Sequence, residues 1–489
     1  MQIKQEEKMF RNIILIFSLS MVFISSGFVA EEVSDRDIIF AVETELLVDE
    51  QVASHLIDVN CIDGIVNLSG SVDNILAKGR AEKIAATVRG VRSVVNQIEV
   101  KPKEITESEL QETIQKALLQ DPATNSYQIQ TSVSEAKITL QGNVHSYQEK
   151  ELAEKVVKSV SGVKKVDNLI SVDYQAERND FEIEQDILAR LKYDMWVDEA
   201  LIDVAVEDGK VKLKGTVGSE REKRRALSDA WVMGTNLVDA EDLKVQWWAD
   251  DEIKKEVTPL PPSDQEIKNA VKDALYYDPR LASFNIDVQL NKGQVILSGI
   301  VDNLKAKMAA ENDAENAIGV WEVKNHIRVR PDTIPSDEVL KSRVKSALLR
   351  NSYIELYDIT VTVVNGRVFL SGDVNTSFEK KRAKSVTSGV EGVVDVVNNI
   401  DYQHVWTWKS DWMIKRDIES QYYWSPVIES DNITLTVENG VVTLTGKVDT
   451  WNERRAAERN AYEGGAKDVR NRLKIKDWDP YSDFYPHSF

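Results

Sequence analysis

The sequence predicts an α+β fold class, a tandem array of six small αββαβ domains, each a three-stranded mixed sheet with two helices on one face. Three observations carry the prediction. A pair of small residues six apart recurs six times along the 489 residues: Gly64 and Gly70, Ala136 and Gly142, Gly209 and Gly215, Gly293 and Gly299, Gly366 and Gly372, Gly440 and Gly446. Apolar rows align around every pair. Ile57, Ile129, Ile202, Ile286, Ile359 and Ile433 stand seven residues before its first member, and Leu68, Leu140, Leu213, Leu297, Leu370 and Leu444 stand four after it. Within each copy the hydrophobic period then changes in one fixed order. A repeat of about 73 residues overrides the three or four domains that length alone suggests. Units this small bury only about 60% of their unfolded surface, so packing between neighbours is expected to contribute stability.

Each copy opens on a Ser or Asn followed by an acidic residue, at Ser34, Ser108, Asn179, Ser263, Ser336 and Ser410. That pattern predicts a helix N-cap with negative charge on the first turn. In the fourth copy Ser263 and Glu266 have capping-box spacing, and Ile267, Val271, Ala274 and Leu275 follow at helical intervals. Strict alternation comes next. In the fifth copy Ile359, Val361 and Val363 share a face, Asn365-Gly366 makes the turn, and Val368 and Leu370 continue that face. Asn439-Gly440, Asp63-Gly64 and Asp208-Gly209 likewise suit tight turns of positive φ, so this element is a β-hairpin. The glycine six residues on is expected to end the second strand and admit the next element closely. A second helix carries small residues toward the sheet, as at Ala77, Ala81, Ile84, Ala85 and Val88. Gly90, Gly162, Gly234, Gly319, Gly392 and Gly465 are read as its C-terminal positions. A third strand begins near Val94, Val166, Val238, Val323, Val396 and Val469, with Asn96, Asn168, Asn325, Asn398 and Asn471 two residues beyond and Ala240 as the exception.

This order, with its central Gly-x-Val-x-Leu-x-Gly and later Gly-Val-x-x-Val-x-Asn, resembles the BON domain family, named for an osmotically inducible periplasmic protein and for nodulation proteins. The resemblance covers the chain after residue 33, with Ala136 replacing a turn glycine in the second copy and Gly234-Thr235 and Ala240 departing in the third. It implies periplasmic or membrane-associated modules that bind phospholipid surfaces or envelope partners, without catalysis. The expected boundaries are 34–101, 108–174, 179–248, 263–330, 336–403 and 410–478, with a Pro-containing linker at 249–262. That linker, with Pro259, Pro261 and Pro262, suggests three modules plus three; placed end to end, six such units would reach about 160 Å. Copies one and four share Val-Asp-Asn after the glycine, and copies three and six share tryptophans and an Arg-rich second helix, as a duplicated triplet would.

Residues 1–30 read as a secretory signal peptide: Lys4, Lys8 and Arg11 precede an apolar run from Ile13 to Ile24, then Ser25, Ser26 and Gly27. Export to the periplasm is expected, with an inner-membrane anchor bearing periplasmic domains as the alternative. Cys61 is the only cysteine, so no intrachain disulfide forms; it aligns with Val133, Val206, Leu290, Val363 and Val437 and reads as a buried small hydrophobe. A formal net charge of −20 disfavours nucleic acid as a partner, because phosphate neutralisation needs a basic footprint. The five histidines occupy non-equivalent places with no second ligand at metal spacing, and no Gly-rich loop carries a Lys-Ser/Thr. No enzyme, cofactor or metal site is therefore expected.

Tryptophan and basic residues point to a contact surface instead. Trp196, Trp231, Trp247 and Trp248 lie in copy three, and Trp406, Trp408, Trp412, Trp424, Trp451 and Trp478 lie in or beside copy six, suited to headgroup contact or to sealing joints between modules. Lys210, Lys212 and Lys214 alternate with Val211 and Leu213 and so share the uncovered sheet face; Arg221, Lys223, Arg224 and Arg225 follow on the second helix. Copy six offers Arg454, Arg455 and Arg459, then Arg470, Arg472, Lys474 and Lys476 along its last strand. The expected lipid or partner contacts are therefore Lys210, Lys212, Lys214, Arg221, Arg224, Arg225, Trp247, Trp248, Arg470, Arg472, Lys474 and Trp478. The alternative to a phospholipid membrane surface is a chaperone-like or scaffolding protein that binds polypeptides.

Overall fold

In the computed structural model, residues 33–475 are described apart from 126, 175, 195–196, 198, 247–262, 332–334, 403–408, 426–427, 429 and 449–450. The signal-like segment, the proline linker, Trp247, Trp248, Lys476 and Trp478 lie outside the described residues. The first module shows the plan: a helix Asp35–Val48, a hairpin of Ile57–Ile62 and Ile65–Val72, a helix Ile75–Ala86, and a last strand in two pieces, Ser93–Asn96 and Glu99–Val100. Both pieces pair in parallel with the central Ile65–Val72, which pairs antiparallel with Ile57–Ile62. The sheet is thus three-stranded in topology with a broken third strand; in the fifth module that strand runs unbroken from Asp395 to Tyr402. Helices bury their apolar stripes on one face, where Val66, Leu68, Ile38, Val42, Ala81 and Ala85 are all inaccessible to solvent or nearly so.

The hairpin turns have positive φ at both central residues, at Asp63 and Gly64 as at Asn365 and Gly366, and even Glu135 and Ala136 adopt it. The acidic residue after each N-cap does more than oppose the helix dipole. Asp35 accepts the amides of Asp63 and Gly64, both at 2.9 Å, and Asp180, Asp264, Asp337 and Asp411 hold their own turns in the same bidentate way. In the second module Glu107 reaches Glu135 N at 2.7 Å, and the N-cap is Thr106 rather than Ser108, which lies inside the helix. The capping box of Ser263 and Glu266 is present.

Two expectations are corrected. Gly70 does not end its strand, which continues to Val72; its φ of +107 lets the chain pass the Leu56 carbonyl, which an added Cβ would meet at 2.0 Å. Gly90 lies beyond the helix, which ends at Ala86 with Thr87 as C-cap, and its carbonyl packs on Gly64 instead. The recurring Asn is a brace at the strand break. Asn96 donates to Lys78 O at 2.9 Å and to Glu82 Oε2 at 3.0 Å, and accepts from Ile98 N, tying the third strand to the second helix. Asn168, Asn325 and Asn471 repeat all three bonds.

The modules form neither an extended array nor two separate triplets. The described residues from Asp35 onward make one compact unit in which the helical sides meet. The first module touches the second through Ile75, the third through Glu82 and Arg224 (2.6 Å), the fifth through Glu50 and the Phe378 amide (2.9 Å), and the sixth through Arg89 over the Tyr423 ring (4.9 Å). The second joins the third by stacking Tyr147 on Trp231 at 4.1 Å, the fourth by Asp121 and Lys305 (2.6 Å), and the fifth by a bridge between Val160 and Asn351. Tyr193 and Glu266 (3.1 Å) link third to fourth, Leu304 packs from fourth to fifth, and Arg455 with Glu315 joins sixth to fourth. Third and sixth share a cavity, and Tyr402 of the fifth lies within electrostatic range of Tyr462 of the sixth. Among the described residues each module thus touches four others, the connectivity of an octahedron with modules one and four, two and six, and three and five at opposite corners.

Candidate functional site

Because the helical sides are consumed in mutual packing, the uncovered sheet faces point to solvent, and the basic strands must be judged there. In the third module Lys210 and Lys214 are exposed and Lys212 half-buried, alternating with buried Val211 and Leu213 as expected. Carboxylates answer them. Glu207 lies opposite Lys210 in register, Asp203 opposite Lys214, and Lys212 binds Asp242 at 2.8 Å with Asp239 at 4.0 Å. Asp242 holds the Lys212 ammonium above its usual range through that hydrogen bond. The face is close to neutral.

The sixth module differs. Lys447 and Lys474 are cross-strand neighbours, Arg470 lies beside Thr443 on the same face, and Arg472 is exposed at the strand break. Glu438 and Asp468 are the exposed acids of these strands, at their far end. None of the four cations has an ion pair among the described residues, and two lysines side by side repel by several tenths of a kcal/mol. The exposed Trp412, 68% accessible, lies in the same module under the Arg416 guanidinium, 5.1 Å from the ring centroid.

Arg221, Arg224 and Arg225 are not part of either face, which corrects their grouping with the lysines. A helix at Glu220–Asp229 turns them toward the helical side: Arg224 binds Glu82 and Glu220, Arg225 binds Asp194 with Asp229 at 3.6 Å, and all three line the cavity shared by modules one, three and six. Alternation located the lysines; nothing in the local pattern showed that the arginines meet residues about 140 and 240 positions away. Trp231 seals a joint by its stack on Tyr147, and Trp424 lines the same cavity. Cys61 is buried, with its thiol donating to Asp35 Oδ1 at 3.2 Å; burial and that carboxylate push the thiol up to about 12, so it is a poor nucleophile. Among the described residues no cluster of His, Cys, Asp and Glu has metal-binding geometry, and no helix is long and apolar enough to cross a membrane.

Comparison with known proteins matches this geometry to one family six times over. A family model described as the BON domain matches residues 34–102, 106–174, 179–240, 263–331, 336–404 and 410–477. The chain belongs to the BON domain family. Similar curated proteins are much shorter. The 21 kDa hemolysin of Actinobacillus pleuropneumoniae is 31% identical over 144 residues, 28% of this chain and 74% of that protein. Osmotically-inducible protein Y of Escherichia coli K12 is 30% identical over 146 residues, 29% and 73%, and the outer membrane lipoprotein DolP of Haemophilus influenzae is 30% identical over 144 residues, 28% and 74%. Each relative therefore matches about two modules' length of this six-BON chain.

Proposed function

We propose that this BON protein is a non-catalytic periplasmic envelope protein that binds phospholipid membrane surfaces in osmotic or envelope stress. The names of its relatives, one osmotically inducible and one an outer membrane lipoprotein, support the setting. The leader-like composition of residues 1–30 supports export. The observation that carries the binding reading is the uncompensated basic face of the sixth module, where Lys447, Arg470, Arg472 and Lys474 stand together without counter-ions among the described residues of a chain of net charge −20. Basic residues near an anionic leaflet contribute roughly 1 kcal/mol each, and four give useful affinity where one does not. Lys210 and Lys214 are the secondary contacts, weakened by Glu207 and Asp203.

Flotation with vesicles containing phosphatidylglycerol tests this. Charge reversal at Arg470, Arg472 and Lys474 should remove most of the co-flotation, and reversal at Lys210, Lys212 and Lys214 should reduce it far less. Binding should also fall steeply as salt rises through physiological strength, where screening acts beyond about 8 Å. Unchanged flotation after reversal in the sixth module removes the lipid reading.

A further inference from the structure

The second helices of the third and fourth modules, Glu220–Asp229 and Leu304–Glu315, each carry an aspartate that the other modules lack at that place. Counting from Asp180 and Asp264, which hold the hairpin turns, Asp229 and Asp313 are equivalent, and the same position is Ile84, Val156, Val386 and Asn460 elsewhere. The two modules that carry the acid are also the two that meet there. Asp194 forms an antiparallel bridge with Ala317, and Ile318 N donates to Tyr193 O at 3.4 Å. The joint gathers four carboxyls, Asp194, Asp229, Asp278 and Asp313, on a cavity of about 370 Å³ that the second module also walls. Asp194, Asp229 and Asp278 are buried, Asp229 with only 2% of its surface exposed. Three guanidiniums oppose them. Arg190 bonds Asp229 at 3.0 Å, Arg225 Nε bonds Asp194 at 2.6 Å and stands 3.6 Å from Asp229, and Arg280 Nε reaches both oxygens of Asp278 at 2.9 Å.

Each arginine thus takes one aspartate, and Asp313 is left over. Its Oδ2 is closed to solvent and has no hydrogen-bond partner, while the carboxyl lies within hydrogen-bonding reach of Asp278. Arg280 and Arg225 are the cations near it, both already bonded to other acids. The surrounding charges do not make up the difference. Asp273 sits on the exposed rim, Glu151 and Lys155 of the second module contribute one charge of each sign, and Asp121, which approaches Arg280, is bonded to Lys305 at 2.6 Å. With every carboxyl ionised the joint would hold one negative charge in excess, which burial penalises heavily. One proton removes the excess and turns the repulsion of two touching carboxylates into a hydrogen bond. Burial and the adjacent Asp278 raise Asp313 well above the usual carboxylate range, whereas Asp278, against the effect of burial, is held below it by Arg280. Burial and Asp194 push Asp229 up to about 6.

We propose that Asp278 and Asp313 share one proton, and that this proton latches the third module onto the fourth, so that the joint loosens when base removes it. The sign follows from where the proton is held. Bound in the closed joint and released on opening, it stabilises fully below the ordinary Asp value of about 3.9, and the advantage is lost as pH rises through the value of the closed pair. The latch lies on the helical side and is independent of lipid binding at the sheet faces. NMR of the full-length protein with isotope-labelled aspartate carboxyls reads the proton directly: one aspartate should remain protonated at neutral pH, and its signal should vanish in Asp313→Asn. Hydrogen exchange at the Ile318 amide, corrected for the intrinsic rate, reads the joint. Above about pH 6, where Asp229 is charged, its protection should fall about tenfold per pH unit until the pair loses its proton, and then level off. Asp313→Asn, whose amide donates to Asp278 as the protonated acid does, should abolish that slope. Asp278→Asn removes the like charge and frees Arg280, so Asp313 should titrate nearer the ordinary range and the slope should shrink. Glu45→Gln, in the first module, should leave the slope unchanged. Absence of a protonated aspartate at neutral pH, or an unaltered slope in Asp313→Asn, overturns the proposal. A slope lost in Glu45→Gln as well also overturns it, because the dependence would then belong to the cluster as a whole. Should either joint variant fail to fold, the carboxyl titration of the wild-type protein still decides the matter.

Discussion

Replacing Asp337 by Asn tests whether the carboxylate at the start of each first helix anchors the hairpin turn. Asp337 Oδ2 accepts from Asn365 N at 2.9 Å and Oδ1 from Gly366 N at 3.2 Å, so one side chain satisfies both donors of a turn held at positive φ. Asparagine keeps the shape but offers one acceptor, and its amide NH₂ then faces a backbone N–H. Hydrogen bonds to charged groups contribute roughly 1.5–3 kcal/mol, and leaving a donor unmet adds to the loss. Partial exposure of the turn reduces this, and a local loss of about 2 kcal/mol is expected. Six packed modules do not unfold in one step, so the assay is site-resolved hydrogen exchange, which reads local opening directly. The Asn365 and Gly366 amides should exchange roughly thirtyfold faster, the equivalent of about 2 kcal/mol. Glu107→Gln, which removes the charge from a single bond to Glu135 N, should cost about half as much. Unchanged protection at Asn365 and Gly366, or equal effects at both sites, would refute the clamp and return the acid to a helix-dipole role.

Glycines separate by environment: Gly446→Ala places a Cβ 2.1 Å from the Asn432 carbonyl at φ +132 and should cost about 3 kcal/mol or more, whereas Gly79→Ala, in a helix interior with nothing within 4 Å, should stabilise by roughly 0.5–1 kcal/mol in thermal melts. The Glu45 carboxyl, raised by burial to about 7 from 4.5, binds its proton more tightly in the native state, so its contribution to stability is full below pH 4.5 and declines as pH rises to 7. That decline is on the order of 2–3 kcal/mol at most, and Glu45→Gln should flatten it in melts across that window. Proteolysis at 249–262 should nick the chain without releasing two halves in native gel filtration, because Tyr193 with Glu266, Asp121 with Lys305 and Glu50 with Phe378 all span the cut.

What could be read from the sequence was whatever repeats. Element order, turn positions and the alternation that places Lys210, Lys212 and Lys214 on one face all follow from period and from the φ that only certain residues accept. The Asp clamp was present as a signal too. Asp35, Asp180, Asp264, Asp337 and Asp411 each stand 28 and 29 residues before the two turn amides they hold, but capping explained the same residues and concealed the longer-range bond. Asn96 and its counterparts carried a similar constant spacing to the second helix, 14 and 18 residues in the first module. Packing between modules had no such signal. Glu82 and Arg224 are 142 residues apart and neither belongs to the repeat's core, so periodicity is silent about the meeting of their helices. For the same reason Arg221, Arg224 and Arg225 were grouped with sheet lysines that they do not approach.

The closed arrangement changes how six modules cooperate. Repetition raises avidity only when several sites can engage at once. An extended array would lay its modules along a bilayer. In an octahedral cluster whose helices point inward, the six sheet faces diverge, and a plane meets at most a few neighbouring corners. Modules three and six are such neighbours, since both line the cavity. Their two lysine-bearing faces therefore can address one membrane, while the opposite modules, five and two, are held away from it. A variant with the sixth-module face reversed should then retain only the weak attachment of Lys210 and Lys214, and reversing both faces should abolish it. If the two reversals are additive in free energy, the faces act separately; a combined loss smaller than their sum means both already depend on the same docked orientation. Basic substitutions on the second module's sheet, at Gln130 and Gln141, directly opposite each other in register, should not restore binding that the sixth module has lost unless the cluster reorients as a whole. Rescue at the original vesicle affinity would show that orientation is free and that the positions of modules three and six are immaterial.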